Sequence, residues 1–168
     1  MSAKALALLY SETLLDLYYA VSGTRGVATE LLDAAATLTV KDVLRDGIAG
    51  SGDATAALAE ILDLAEPMPE PGVCNSVMTI CADALHYGLD PHWGPGSPRD
   101  TRILAQYHRL LSYSISLFVH ARTCAVSLGH ESEARLLEEH LDTWWEAQSR
   151  TARLSDHTTR RMAMARGA

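Results

Sequence analysis

The chain has 168 residues, of which 48% are hydrophobic and 21% charged, and its formal net charge at pH 7 is -7. This length suits one globular domain with a buried core, and the negative charge excludes a general affinity for nucleic acid. The apolar runs are too short to cross a membrane and no signal peptide is recognisable, so we expect a cytoplasmic protein without membrane partners.

Helical periodicity runs through the chain, and the alternating pattern of β-strands is missing. Apolar residues recur every three or four positions in five segments, at about 3–36, 41–65, 74–87, 101–128 and 130–154. Four of these are long and the third is short. We therefore predict an all-α, four-helix bundle with one short additional helix over residues 1–155, followed by a basic tail at 156–168.

Glycine and proline divide these segments. Two helices contain glycine inside them, Gly23 and Gly26 in the first and Gly47, Gly50 and Gly52 in the second. Each glycine costs about 1 kcal/mol relative to Ala, which favours a kink in the first helix and a distortion in the second. The apolar stripe keeps the same phase before and after the glycines of the second helix, so we predict that this helix is continuous.

Prolines and a glycine mark where the helices end. Prolines at residues 66–72 end the second helix, and residues 88–100 are predicted to form a rigid loop. Gly129 is placed to end the fourth helix.

Three stretches carry a resemblance to a known family: LLDLYYA at 14–20, CNSVM at 74–78 after the Pro-rich turn, and LGHESEARLLEEHL at 128–141. In order and spacing they resemble the bacterial YciE/YciF-like ferritin-like stress proteins. The resemblance implies a ferritin-like four-helix bundle that is often dimeric. It also implies that family members can hold a di-iron centre between the helices.

The sequence lacks the ligands that such a centre needs. A carboxylate-bridged pair of metals takes a Glu from each of two helices and a Glu-x-x-His from each of the other two. No Glu in this chain is followed by His three residues later, and residues 101–128 contain no Asp or Glu. The resemblance places the family's ligand positions at Val21, among residues 47–50, near Leu111, Ser112 and Ser114, and within 142–145. We therefore expect no metal site and no cofactor, while a different site from Asp16, Asp46, His108 and Glu139 stays open.

Two interpretations of the middle of the bundle remain open. In the first, Trp144 fills the volume that the metals and their ligands would occupy, because protein interiors are densely packed. In the second, small residues leave a cavity with hydroxyl groups and an aromatic wall, which suits an organic ligand. The residues predicted to contact that ligand are Ser51, Tyr107, Ser114 and Trp144. Catalytic residues stay unassigned, with His140 and Asp46 as candidates.

Three functions follow from these patterns. The first is a metal-free bundle that binds a small organic molecule, with a metal-independent reaction of specialised bacterial metabolism as one form of it. The second is a non-enzymatic, stress-associated structural or interaction protein, and the third is a residual di-iron protein. Whether the chain is an enzyme is left open, and a homodimer is expected.

Overall fold

Five α-helices and one 3₁₀ turn make up the fold in a computed structural model, which describes residues 3–63 and 74–165. The helices are α1 (Ala3–Ala34), α2 (Leu38–Ile61), α3 (Asn75–Gly88), α4 (Ser97–Leu128) and α5 (Glu131–Ala165), with the 3₁₀ turn at Pro91–Trp93. The prediction of an all-α fold with four long helices and a short one is confirmed. The Pro-rich stretch at 66–72 lies outside the described residues.

Four helices enclose one core. α1 packs against α2 and α4, and α5 packs against α4 and more loosely against α2, so that the four close into a ring. α3 lies outside this ring on α1 and α4. The largest side chains that are completely buried come from all four long helices and include Leu17, Leu44, Tyr107, Phe118 and Leu137. Over the described residues, none of the helices combines the length and apolarity that a bilayer crossing requires.

Both glycine-containing helices run without a break. α1 is helical through Gly23 and Gly26, and α2 is helical through all three of its glycines. The prediction of a single second helix is therefore right. The helix begins at Leu38, three residues before the predicted start at about Lys41.

The start of α4 also differs from the prediction. Residues 97–100 belong to α4 rather than to the preceding loop, and a proline, Pro98, occupies its first turn. Proline is favoured there because its missing N–H would have no partner within the helix. The other end of α4 is as predicted, because Gly129 adopts the left-handed conformation with a φ of 77°.

Asp100 ties three helices together. Its side chain is completely buried, and its carboxylate accepts the backbone N–H groups of Ala36 at 2.8 Å and Thr37 at 3.0 Å. These two groups lie in the turn between α1 and α2, at the end where α2 begins. Because Thr37 makes no side-chain cap of its own, the carboxylate from α4 takes over the capping of α2.

The last helix continues past Leu154. Residues 156–165, which were predicted to belong to a basic tail, are part of α5, and half-buried Leu154, Thr158 and Met162 extend its inward stripe. The hydroxyl of Thr101 donates a hydrogen bond to the sulfur of Met162 at 3.3 Å. The end of α5 therefore packs beside the start of α4.

Candidate functional site

The family resemblance places metal ligands at positions that here carry Val21, Leu111 and Ser114, and within 142–145, where Trp144 is the buried residue. Val21 and Ser114 are completely buried, and Leu111 and Trp144 are nearly so. Iron in such a centre needs anionic oxygen donors to replace its hydration shell, and these four residues offer none. Over residues 3–63 and 74–165, no group of three or more His, Cys, Asp or Glu side chains is placed to hold a metal ion. The residues present do not fit the di-metal centre that the fold implies.

Three of the four residues predicted to contact a ligand do come together. Ser51 from α2, Tyr107 from α4 and Trp144 from α5 line one small cavity. Its volume is about 30 Å³, which is room for about one water molecule. The space at this point of the bundle is therefore much smaller than a drug-sized ligand pocket.

The Tyr107 side chain packs closely against α2. Its hydroxyl end lies against the backbone of Gly47, where an added Cβ would overlap the tyrosine oxygen and lie 2.7 Å from Cζ. Gly47 is thus required by close packing. The Tyr107 hydroxyl is buried and has no hydrogen-bond partner among the described residues. Burial raises the pKa of Tyr107, the charge of Asp46 raises it further, and Arg150 opposes both effects.

Ser114, the fourth predicted residue, lies apart from this cavity and faces α1. It is completely buried, and its hydroxyl oxygen is 3.5 Å from the hydroxyl oxygen of Thr24. Thr24 donates a hydrogen bond to the carbonyl of Ala20 at 2.8 Å. The two hydroxyl groups therefore form a polar contact between α1 and α4.

The two candidate catalytic residues have different surroundings. The His140 ring stacks on the Phe118 ring, with centroids 6.4 Å apart. The Phe118 ring also packs against the Trp144 ring, with centroids 5.5 Å apart. Burial lowers the pKa of His140, while Asp53 and Glu139 act in the opposite direction. Asp46 is exposed and forms an ion pair with Arg150 at 2.9 Å. His140 therefore lies half-buried against Phe118, whereas Asp46 lies at the surface beside Arg150.

A crevice between α2 and α5 extends from the Tyr107 cavity to the surface. Its outer part has a volume of about 120 Å³ and is lined by Gly47, Thr143, Glu146 and Arg150, among others. Sequence reasoning missed Thr143, Glu146 and Arg150 because they lie on the polar side of α5. The small residues of α2 were the only sequence signal for this crevice.

A second concave site lies between α1 and α3. It has a volume of about 250 Å³ and a mostly apolar lining that includes Tyr19, Gly23, Val77 and the free thiols of Cys74 and Cys81. Burial raises the pKa of Cys81, which disfavours its thiolate and hence its reactivity. No sequence pattern indicated this site, because it depends on how the short α3 lies on α1.

The fold is that of an all-α, ferritin-like helical bundle, and its centre holds packed apolar and hydroxyl side chains. Residues 5–165 match the model of a family described as a domain of unknown function, DUF892, and the chain belongs to that family. No curated protein matches the chain.

Two solved structures are similar to this fold. One is the stress protein YciF of E. coli, with a TM-score of 0.82 and 15% sequence identity, covering 92% of this chain and 97% of that one. The other is YcfI from Rhodopseudomonas palustris, a protein assigned a provisional structural role, with a TM-score of 0.77 and 16% identity over 90% of this chain and 94% of that one. These likenesses confirm the YciF-like fold that the sequence resemblance implied.

Proposed function

We propose that the protein is a metal-free member of its family that acts as a structural or interaction protein of the bacterial cytoplasm, and that it associates with a second copy of itself. The observation that carries this proposal is the burial of Val21, Ser114 and Trp144 in the centre of the bundle, where the family resemblance places metal ligands. A bundle that replaces its reactive centre with packed side chains keeps its shape and its surface. The stress and structural descriptions given to YciF and YcfI agree with such a role.

Exposed apolar side chains supply the surface for association. Val119 is 43% exposed and Val126 is 59% exposed, and the two lie seven residues apart on the same side of α4. Isolated exposed apolar residues are common on monomers, so the pair needs a direct test.

Sedimentation and thermal melting test this function. We expect a dimer whose melting temperature rises with protein concentration, and we expect the double variant Val119→Glu/Val126→Glu to be a folded monomer. A wild-type chain that stays monomeric at every concentration would contradict the proposed association.

Metal analysis of protein from iron-supplemented culture should find far less than one iron per chain. About two irons per chain would instead support the third function, a residual di-iron protein.

A second candidate function is the binding of a small organic molecule. The observation that favours it is the unpaired, buried hydroxyl of Tyr107 beside a crevice that opens between α2 and α5. Asp46, Glu146 and Arg150 line the crevice, but none of them forms a hydrogen bond with the Tyr107 hydroxyl as an acid–base pair would. We therefore propose binding alone for this site.

A further inference from the structure

The Tyr107 hydroxyl needs a partner that the described protein residues do not supply. Tyr107 is completely buried, and its oxygen makes no hydrogen bond with any described residue. Buried hydroxyl groups are nearly always hydrogen-bonded, to protein, water or ligand. The cavity beside it is lined by Ser51 and Trp144 and has room for one water-sized group. A hydroxyl group of a ligand is about the size of a water molecule, so it fits this space and can bond to Tyr107 as a water would.

The outer crevice adjoins this cavity. Asp46, Gly47, Thr143 and Ala147 line both the inner cavity and the outer crevice. The two spaces therefore share one wall on α2 and one wall on α5. The outer volume of about 120 Å³ accommodates a short aliphatic chain.

The mouth of the crevice carries more negative than positive charge. Asp46 and Glu146 line it together with one cation, Arg150. Arg150 pairs with Asp46, but both side chains are about half exposed, so this ion pair contributes little and can rearrange. The excess of one negative charge over the three side chains therefore favours a ligand cation over a ligand carboxylate at the mouth.

We propose that this crevice binds a small amino alcohol, with its hydroxyl group on Tyr107 and its ammonium group between Asp46 and Glu146. Which of the two ligand groups lies inside and which lies at the mouth follows from the cost of burying each group. An ammonium group loses far more hydration energy than a hydroxyl when it leaves water, so the charge stays at the exposed mouth. This inference deepens the second candidate function and does not depend on association between two chains.

Titration of the full-length protein with ethanolamine tests the proposal, with binding followed by NMR. For so small a molecule we expect a dissociation constant of about 1 mM or weaker. Ethylamine, which lacks the hydroxyl, and ethylene glycol, which lacks the charge, should each bind about tenfold more weakly. Equal binding of ethylene glycol and ethanolamine would leave the second candidate function standing and overturn the amino alcohol as its ligand.

Variants identify the site. Tyr107→Phe should weaken ethanolamine binding to the level of ethylamine without changing ethylamine binding, and Glu146→Gln should weaken both. Thr143 is exposed on the crevice wall, so Thr143→Trp should block binding in a folded protein. Tyr87→Phe, on the exposed side of α3, is the matched control and should bind like the wild type. No saturable binding of ethanolamine, or binding unchanged in both Tyr107→Phe and Thr143→Trp, would overturn the proposal and this site together.

Discussion

Asp100 is the residue whose role depends most on the rest of the chain. Its carboxylate lies in the first turn of α4, yet its two hydrogen-bond donors, Ala36 and Thr37, belong to a turn more than 60 residues earlier. A local sequence pattern cannot contain such a relation, which is why Asp100 was assigned to a loop. The proline at the start of α4 was a readable signal, and it would have placed that start correctly.

Replacement of Asp100 tests the cap. Asp100→Ala should lower the free energy of unfolding by about 2 kcal/mol, because two N–H groups lose their acceptor and a buried site is emptied. Asp100→Asn should lower it less, since the amide oxygen can still accept one bond. Urea denaturation measures the difference. Asp42→Ala, which removes an exposed carboxylate, is the control and should change stability by less than about 0.5 kcal/mol. Equal effects of Asp100→Ala and Asp42→Ala would show that the cap contributes nothing.

His140 gives the protein a pH dependence of known sign. Its pKa is lowered in the folded state, chiefly by burial, so the unfolded chain binds a proton more readily. The free energy of unfolding should therefore fall as the pH decreases through the ordinary histidine pKa of about 6.5.

Denaturation curves between about pH 5 and 8 check this prediction, and His140→Gln should show a smaller fall in stability over that range. His157 is exposed, so His157→Gln should keep the wild-type dependence. A curve for His140→Gln that is parallel to the wild-type curve would contradict the assignment.

At the scale of elements, α2 shows both what apolar periodicity can predict and what it cannot. The constant phase of the apolar stripe correctly predicted one helix across three glycines. The reason for the first glycine was not predictable, because Gly47 is required by a ring that lies 60 positions later in the chain, at Tyr107. Of the four residues predicted to contact a ligand, Ser51, Tyr107 and Trp144 line one cavity, whereas Ser114 faces α1, a direction that depends on the rotation of α4.

The same substitution at two helical glycines should have opposite effects. Gly47→Ala should lower the free energy of unfolding by about 3 kcal/mol, because the new methyl group collides with the Tyr107 ring. Gly26→Ala should raise it by about 0.5 to 1 kcal/mol, since nothing lies within 4 Å of the new methyl group and alanine favours the helix. Thermal or urea unfolding of the two variants measures both signs. Stabilisation by Gly47→Ala would contradict the packing of Tyr107 against α2.

At the scale of the whole molecule, the bundle extends further than its sequence pattern indicated. The apolar periodicity of α5 weakens after Leu154 because arginines and other polar residues dominate the remaining stretch. The inward positions are nevertheless taken by Thr158 and Met162, which are half-buried. A short polar stripe of this kind is indistinguishable from a solvated tail until its neighbour, the start of α4, is known.

Truncation after Ser155 tests whether this end belongs to the bundle. The shortened chain should lose about 1 to 2 kcal/mol of its free energy of unfolding, because contacts of Met162 with α4 are removed. Met162→Ala should reproduce part of that loss. Met164→Ala should not, since Met164 is 76% exposed. An unchanged stability after truncation would restore the interpretation of residues 156–168 as a separate tail.

The contact between Tyr107 and Gly47 also restricts which residues the two helices can carry at these positions. A glutamate at position 47 would place its side chain where the Tyr107 hydroxyl group lies, and that group already leaves no room for a methyl group. Any larger residue at position 47 would therefore need a smaller one at position 107. Substitutions at these two positions, which are 60 residues apart in the chain, should not be additive in their effect on the free energy of unfolding.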